Sequence, residues 1–127
     1  MAVHKSGEDY LEAILMIRQA KGNCRSIDVA HHLNVSKPSV SVAMSQLREN
    51  GMITTDANGL LDFTEKGYEL ASAIYQRHCL LTDFFRSLGV SEEVAESDAC
   101  KIEHDLSEET FQCFKRYLQE NTPQKDQ

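Results

Sequence analysis

The stretch from Ser26 to Thr64 leaves this chain few ways to fold. Ser26 offers an N-cap, with Asp28 in the first turn, to a short helix from Ile27 to Leu33. Asn34-Val35-Ser36 is a brief break, and Ser36 can cap a further helix from Lys37 to about Asn50. Pro38 is tolerated in the first turn of that helix, where the N–H groups have no intrahelical partner. Val40, Met44 and Leu47 recur at i, i+4 and i+7 and should face a core, leaving Lys37, Ser39, Ser41, Val42, Ser45, Gln46 and Arg48 largely outward. Gly51 is a helix stop, Met52-Ile53-Thr54-Thr55 reads as a strand, Asp56-Ala57-Asn58-Gly59 as a turn, and Leu60-Leu61-Asp62-Phe63-Thr64 as the returning strand.

Two short helices joined by a tight turn and followed at once by a hairpin make a winged helix-turn-helix, an architecture that places its second helix against duplex DNA. A preceding helix is expected from Glu8 to Ala20, with Tyr10, Ala13, Ile14 and Ile17 on its buried stripe and Leu11 and Leu15 widening it. Lys21-Gly22-Asn23 ends it. After the hairpin, Thr64 caps a helix that should run from Glu65 to about Leu88, longer than a winged helix needs, so it carries the chain into a second unit. Gly89-Val90-Ser91 breaks it; Ser91 caps a helix from Glu92 to about His104, Ser107 caps one from Glu108 to about Gln119, and Asn121 to Gln127 is a polar tail. The expected fold is therefore mainly α with a small β-hairpin: a winged helix-turn-helix DNA-binding domain over residues 1–70 and a helical dimerisation domain over 71–127. The second half has too few helices to bury Phe84, Phe85, Leu88, Phe111, Phe114 and Leu118 by itself, which predicts a homodimer and hence two DNA half-sites.

The formal charge of −7 looks unsuited to a nucleic-acid binder until it is divided along the chain. Residues 1–70 carry seven Lys/Arg against nine Asp/Glu, and residues 71–127 six against eleven, so most of the acid lies outside the DNA-binding half. Duplex DNA can still be bound through a local face, with weak non-specific affinity. No apolar run reaches the roughly 18 residues of a membrane span, and Met1 to Gly7 lacks an apolar signal region, so a cytoplasmic location is expected. Cys24, Cys79, Cys100 and Cys113 show no CxxC spacing, which leaves them as thiols that fill the core or bind a metal singly.

The densest group of metal-grade donors is Cys100-Lys101-Ile102-Glu103-His104. On a helix, residues three and four apart share a face, so the Cys100 thiolate, the Glu103 carboxylate and the His104 imidazole can converge. The same residues also read as a buried cysteine beside a solvated Glu-His pair. Asp9 and Glu12 likewise share a face of the first helix, or are acids placed to suit the positive end of the helix dipole.

Taken together these features carry a resemblance. A winged helix preceded by Glu8-Asp9-Tyr10-Leu11-Glu12, followed by a long helix with Tyr75-Gln76-Arg77-His78 and then by Asp98-Ala99-Cys100-Lys101-Ile102-Glu103-His104-Asp105-Leu106-Ser107, is similar to the diphtheria toxin repressor family of metal-activated transcriptional repressors. The resemblance covers about residues 6–118, and the length fits the short two-domain members, such as the manganese transport regulators, which lack an SH3-like domain.

The resemblance implies that Asp9, Glu12, His78, Cys100, Glu103 and His104 are metal ligands, and that a binuclear centre shares Glu103 and uses Glu12 and His78. Manganese-responsive members usually carry Glu where Cys100 stands, whereas iron-responsive members carry Cys there and Met at the position of Asp9. This mixture points to Mn²⁺ or Fe²⁺, with Co²⁺, Ni²⁺ or Zn²⁺ able to occupy the site in vitro. Thr82 and Glu96 stand where the ancillary site of iron-responsive members has Glu and His, with Asp83 or Glu96 as substitutes. DNA contact is expected from Lys37, Pro38, Ser39, Ser41, Val42 and Arg48: the cations on phosphates, the serines on phosphate or base edges, and Val42 on a thymine methyl. The implied function is a metal-loaded homodimer that binds a palindromic operator and represses Mn²⁺ or Fe²⁺ uptake genes. A metal-independent winged-helix module acting through protein contacts is the alternative. A metallohydrolase is disfavoured by the absence of HExxH and of a nucleophile elbow, so no enzymatic activity is expected.

Overall fold

A computed structural model describes residues 5–121; residues 1–4 and 122–127, the latter including most of the expected polar tail, lie outside the described residues. The elements run α1 (Lys5–Lys21), α2 (Ser26–Leu33), α3 (Lys37–Glu49), β1 (Ile53–Thr55), β2 (Leu61–Phe63), α4 (Glu65–Ser87), α5 (Glu92–Ile102) and α6 (Glu108–Asn121). This is the mainly helical, single-hairpin architecture expected. The chain forms two compact units that divide between Tyr75 and Gln76, inside α4.

In the first unit, the inward faces of α1, α2, α3 and the hairpin close on one core. Leu11, Ile14, Val29, Val40, Met44 and Leu61 are almost wholly buried in it. Each large apolar side chain taken fully out of water contributes about 1.5–3 kcal/mol, enough for these positions to dictate which face of each helix turns inward.

The boundaries follow from local hydrogen bonding. Ser36 accepts from the Ser39 N–H at 3.2 Å and starts α3, with Pro38 in its first turn. Gly51 takes the left-handed conformation, φ 73°, that ends it. The α2 start differs from expectation by one residue. Asp28 reaches back to accept from the Arg25 N–H at 2.9 Å, so Arg25 is the N-cap and Ser26 is already helical. That bond, with one from Lys21 at 2.9 Å, holds the Asp28 carboxyl below its ordinary range, the Lys21 contact being the larger cause.

β1 and β2 pair antiparallel with Ile53 opposite Phe63 and Thr55 opposite Leu61. A third backbone segment joins their edge, because Arg25 forms a bridge with Leu60 and the Leu61 N–H donates to the Cys24 carbonyl at 2.8 Å. Thr64 then caps α4. Its hydroxyl accepts from the Gly67 N–H at 3.1 Å while donating to the Gly51 carbonyl at 2.6 Å. This draws the first turn of α4 so close to the hairpin that a Cβ on Gly67 would sit 1.8 Å from the Met52 carbonyl oxygen.

In the second unit, α5 opens at Ser91 and α6 at Ser107, whose hydroxyls accept from Val94 and Thr110 N–H groups at 3.5 and 3.1 Å. α5 ends at Ile102, two residues before the expected His104, and Glu103 to Asp105 form a turn. Phe84 stacks on Phe114 at 5.3 Å and meets Tyr117 edge-on at 6.5 Å. Leu88, Val94 and Tyr117 leave about half or more of their surface exposed, at 66%, 49% and 55%.

The Gly67 contact yields a test. Gly67→Ala should lower the unfolding free energy by about 1–3 kcal/mol, the usual cost of forcing a methyl into a filled space, as measured by urea denaturation. Unchanged stability would mean that α4 does not abut the hairpin as described.

Candidate functional site

Glu103 is the most deeply buried acid of the described residues, 1% exposed. It sits just past the end of α5 with a helical backbone, φ −61°, ψ −27°. His78, on α4, brings Nδ1 to 2.8 Å from one carboxylate oxygen, and His104 brings Nε2 to 3.4 Å from the other. That second oxygen is buried and makes no hydrogen bond. The Glu103 contact raises the His78 imidazole above its ordinary value, against the opposing effect of burial. A carboxylate between two imidazoles, with an oxygen lacking a hydrogen bond, is a donor set suited to a divalent cation.

The other expected ligands divide. Glu12, on α1, is only 5% exposed, and Asp9 one turn before it is half-buried. Because α1 begins at Lys5, neither acid lies in its first turn, where only Glu8 does, so the helix dipole no longer accounts for the pair. Cys100 lies on the exposed side of α5, while the side chains of Glu103 and His104 are 0% and 1% exposed. Thr82 is buried and its hydroxyl makes no hydrogen bond, whereas Asp83 and Glu96 are exposed.

The DNA-facing expectation concerns α3. Lys37, Pro38, Ser39, Ser41, Val42 and Arg48 are all exposed, and Val42 presents 59% of its surface to solvent. Ser39 is hydrogen-bonded to Ser36 at 2.9 Å. Arg48 donates to Thr55 on β1 at 3.0 Å and to Ser45 at 3.2 Å, so it ties the helix to the hairpin. Arg25 plays a similar part on the other side, donating to the Asn58 carbonyl in the hairpin turn. The sequence alone did not single out Arg25 or Arg77. Arg77 directly precedes His78, and that adjacency is the only sequence signal that could have flagged it.

Two descriptions of one family cover the chain. Iron-dependent repressor, N-terminal DNA-binding domain, matches residues 3–60, and iron-dependent repressor, metal binding and dimerisation domain, matches residues 64–126. The transcriptional regulator MntR of Escherichia coli O6:H1 is 34% identical over 114 residues, which are 90% of this chain and 74% of that protein. The chain belongs to the iron-dependent repressor family of metal-dependent transcriptional regulators. Within that family, the HTH-type transcriptional regulator MntR of Lysinibacillus sphaericus is 37% identical over 102 residues, 80% of this chain and 73% of its own length. Among solved structures, the manganese regulator SloR superposes with a TM-score of 0.79 at 26% identity, over 94% of this chain and 55% of SloR. The present chain thus spans little more than half the length of SloR. Among the described residues no helix is long and apolar enough to cross a membrane.

The thiols offer a check on the geometry. Burial pushes Cys24 up to about 11, and it is wholly enclosed, whereas Cys100 and Cys113 are exposed. Since the thiolate is the reactive form, iodoacetamide at pH 8 should label Cys100 and Cys113 in the native protein and Cys24 only after unfolding, as read by peptide mass spectrometry. Native labelling of Cys24 would contradict the core described above.

Proposed function

We propose that this protein represses metal-uptake genes by binding a palindromic duplex operator as a homodimer loaded with Mn²⁺ or Fe²⁺. The observation that carries the reading is the buried Glu103 carboxylate held between His78 and His104. Asp9 and Glu12 of α1 complete the oxygen donors, and Cys100 supplies a thiolate to the same centre. When bound, the cation supplies the positive charge that neutralises these carboxylates.

The donor set argues for the metal. Carboxylate oxygens suit Mn²⁺, imidazoles accept either ion, and a thiolate moves the preference toward Fe²⁺. The relatives named as manganese regulators favour the first, and the family's iron-dependent description accommodates the second.

In this reading residues 1–70 bind DNA and residues 71–127 bind metal and dimerise, with the long helix linking them. Lys37 neutralises phosphate, Ser39 and Ser41 bond phosphate or base edges, Pro38 and Val42 make apolar contact, and Arg48 reaches the backbone from the end of α3. The exposed apolar surface of Leu88, Val94 and Tyr117 supports association of the second unit with its own copy. Because ligands come from both α1 and the helices of the second unit, operator affinity and metal occupancy are linked, and each tightens the other by the same factor.

The decisive measurement is fluorescence anisotropy on a duplex selected from a randomised pool in Mn²⁺, repeated with anaerobic Fe²⁺ and with chelator. Metal should tighten binding about 5–150-fold, an ordinary coupling of about 1–3 kcal/mol. Equal affinity under all three conditions would replace this reading with a metal-independent DNA-binding module. In the same samples, metal should slow the alkylation of Cys100 but not of Cys113; equal rates would remove Cys100 from the ligand set.

A further inference from the structure

α5 stops at Ile102, whose carbonyl accepts locally from the Asp105 N–H at 3.0 Å, and two carbonyls of the turn that follows take their donor from α4. Arg77 Nη1 donates to the Glu103 carbonyl at 3.1 Å and to the Leu106 carbonyl at 2.8 Å. Its other terminal nitrogen donates to Glu108, at the start of α6, at 2.9 Å. The guanidinium also lies over the Phe111 ring, 4.9 Å from its centroid, and the side chain is only 18% exposed.

The next residue along α4, His78, holds the carboxylate of the same Glu103. Adjacent residues of one helix therefore grip Glu103 twice, Arg77 by its main chain and His78 by its side chain. The two grips differ in one respect. His78 is itself a ligand in the functional reading, so its bond to Glu103 must rearrange when metal is held, whereas Arg77 touches no donor atom assigned to the metal.

We propose that Arg77 is a positioning residue for the metal centre: its guanidinium fixes the turn from Glu103 to Leu106, so that Glu103 and His104 are aimed before any metal arrives. Lysine cannot do this. The two N–H groups of Nη1 are held in the guanidinium plane toward the two carbonyls, whereas an ammonium rotates on a flexible stem and has no flat face to lie on Phe111. The contact with Glu108 matters least, since that carboxylate is 71% exposed and a pair so open to solvent contributes little.

The inference rests on the metal-binding reading above, and the test separates the two. Mn²⁺ affinity is measured from the electron paramagnetic resonance signal of unbound Mn²⁺ for wild type, Arg77→Lys, Glu108→Gln and Phe111→Leu, each with its thermal stability. Arg77→Lys should weaken Mn²⁺ binding about 10–100-fold, the usual effect of losing a partner that orients a ligand. Glu108→Gln should leave it unchanged, and Phe111→Leu should lower stability with little change in affinity. Arg77→Lys that is less stable yet binds Mn²⁺ like wild type overturns the inference and leaves Arg77 a structural residue. Wild-type protein that takes up neither Mn²⁺ nor anaerobic Fe²⁺ overturns the underlying reading, and the inference with it. If Arg77→Lys does not fold, the wild type decides: slow guanidinium rotation of Arg77 in the nitrogen-15 spectrum of metal-free protein is expected, and rapid averaging overturns the proposal.

Discussion

Glu103 holds the second unit to its particular shape because a carboxylate taken this far from water is tolerated only when partners are brought to it. His78 and His104 flank its two oxygens, and Arg77 takes its carbonyl. Those partners come from α4 and from the turn after α5, and the guanidinium also meets Phe111 of α6. Removing the acid would leave the two imidazoles with little reason to converge, while Arg77, which bonds the main chain, would keep its partner. The second unit is thus organised around a polar group, while the first is organised around Leu11, Ile14, Met44 and Leu61.

That difference explains what could be read from the sequence. Caps are local signals, and Ser36, Thr64, Ser91 and Ser107 each accept the N–H expected of them. Apolar spacing placed Val40, Met44 and Leu47 in the core, where they are buried. Ser26 misled by one position because Asp28, three residues past the true cap, competed for the helix start. The turn that follows α5 could not be read locally. Arg77, 26 residues before Glu103, bonds its carbonyl, and no pattern within the helix announces so distant a donor. Cys100 is exposed while Glu103 and His104 are buried, a difference in burial that helical spacing by itself does not foretell. Asp9 and Glu12 went the other way. Their burial on a helix that begins earlier than expected makes them more site-like than their sequence context did.

The hairpin is fastened on both sides. Arg25 holds its turn through Asn58, Arg48 holds its first strand through Thr55, and Arg18 bonds the Leu61 carbonyl at 2.8 Å and pairs with Asp62 at 3.3 Å. A two-stranded hairpin by itself has little stability in water, and these bonds, with the bridge at Arg25 and Leu60, give it a fixed position against α3. The helix and hairpin can therefore be presented to a partner as one preformed surface.

The same fastening has a kinetic meaning. Arg18, Lys21, Arg25 and Arg48 all make bonds within the protein, so each must give up a partner before it can displace counterions from an arbitrary duplex. With an overall charge of −7, the molecule should spend little time sliding along unrelated DNA and should find its target mainly by repeated collision from solution. A family member built this way would exchange quickly between solution and unrelated duplex.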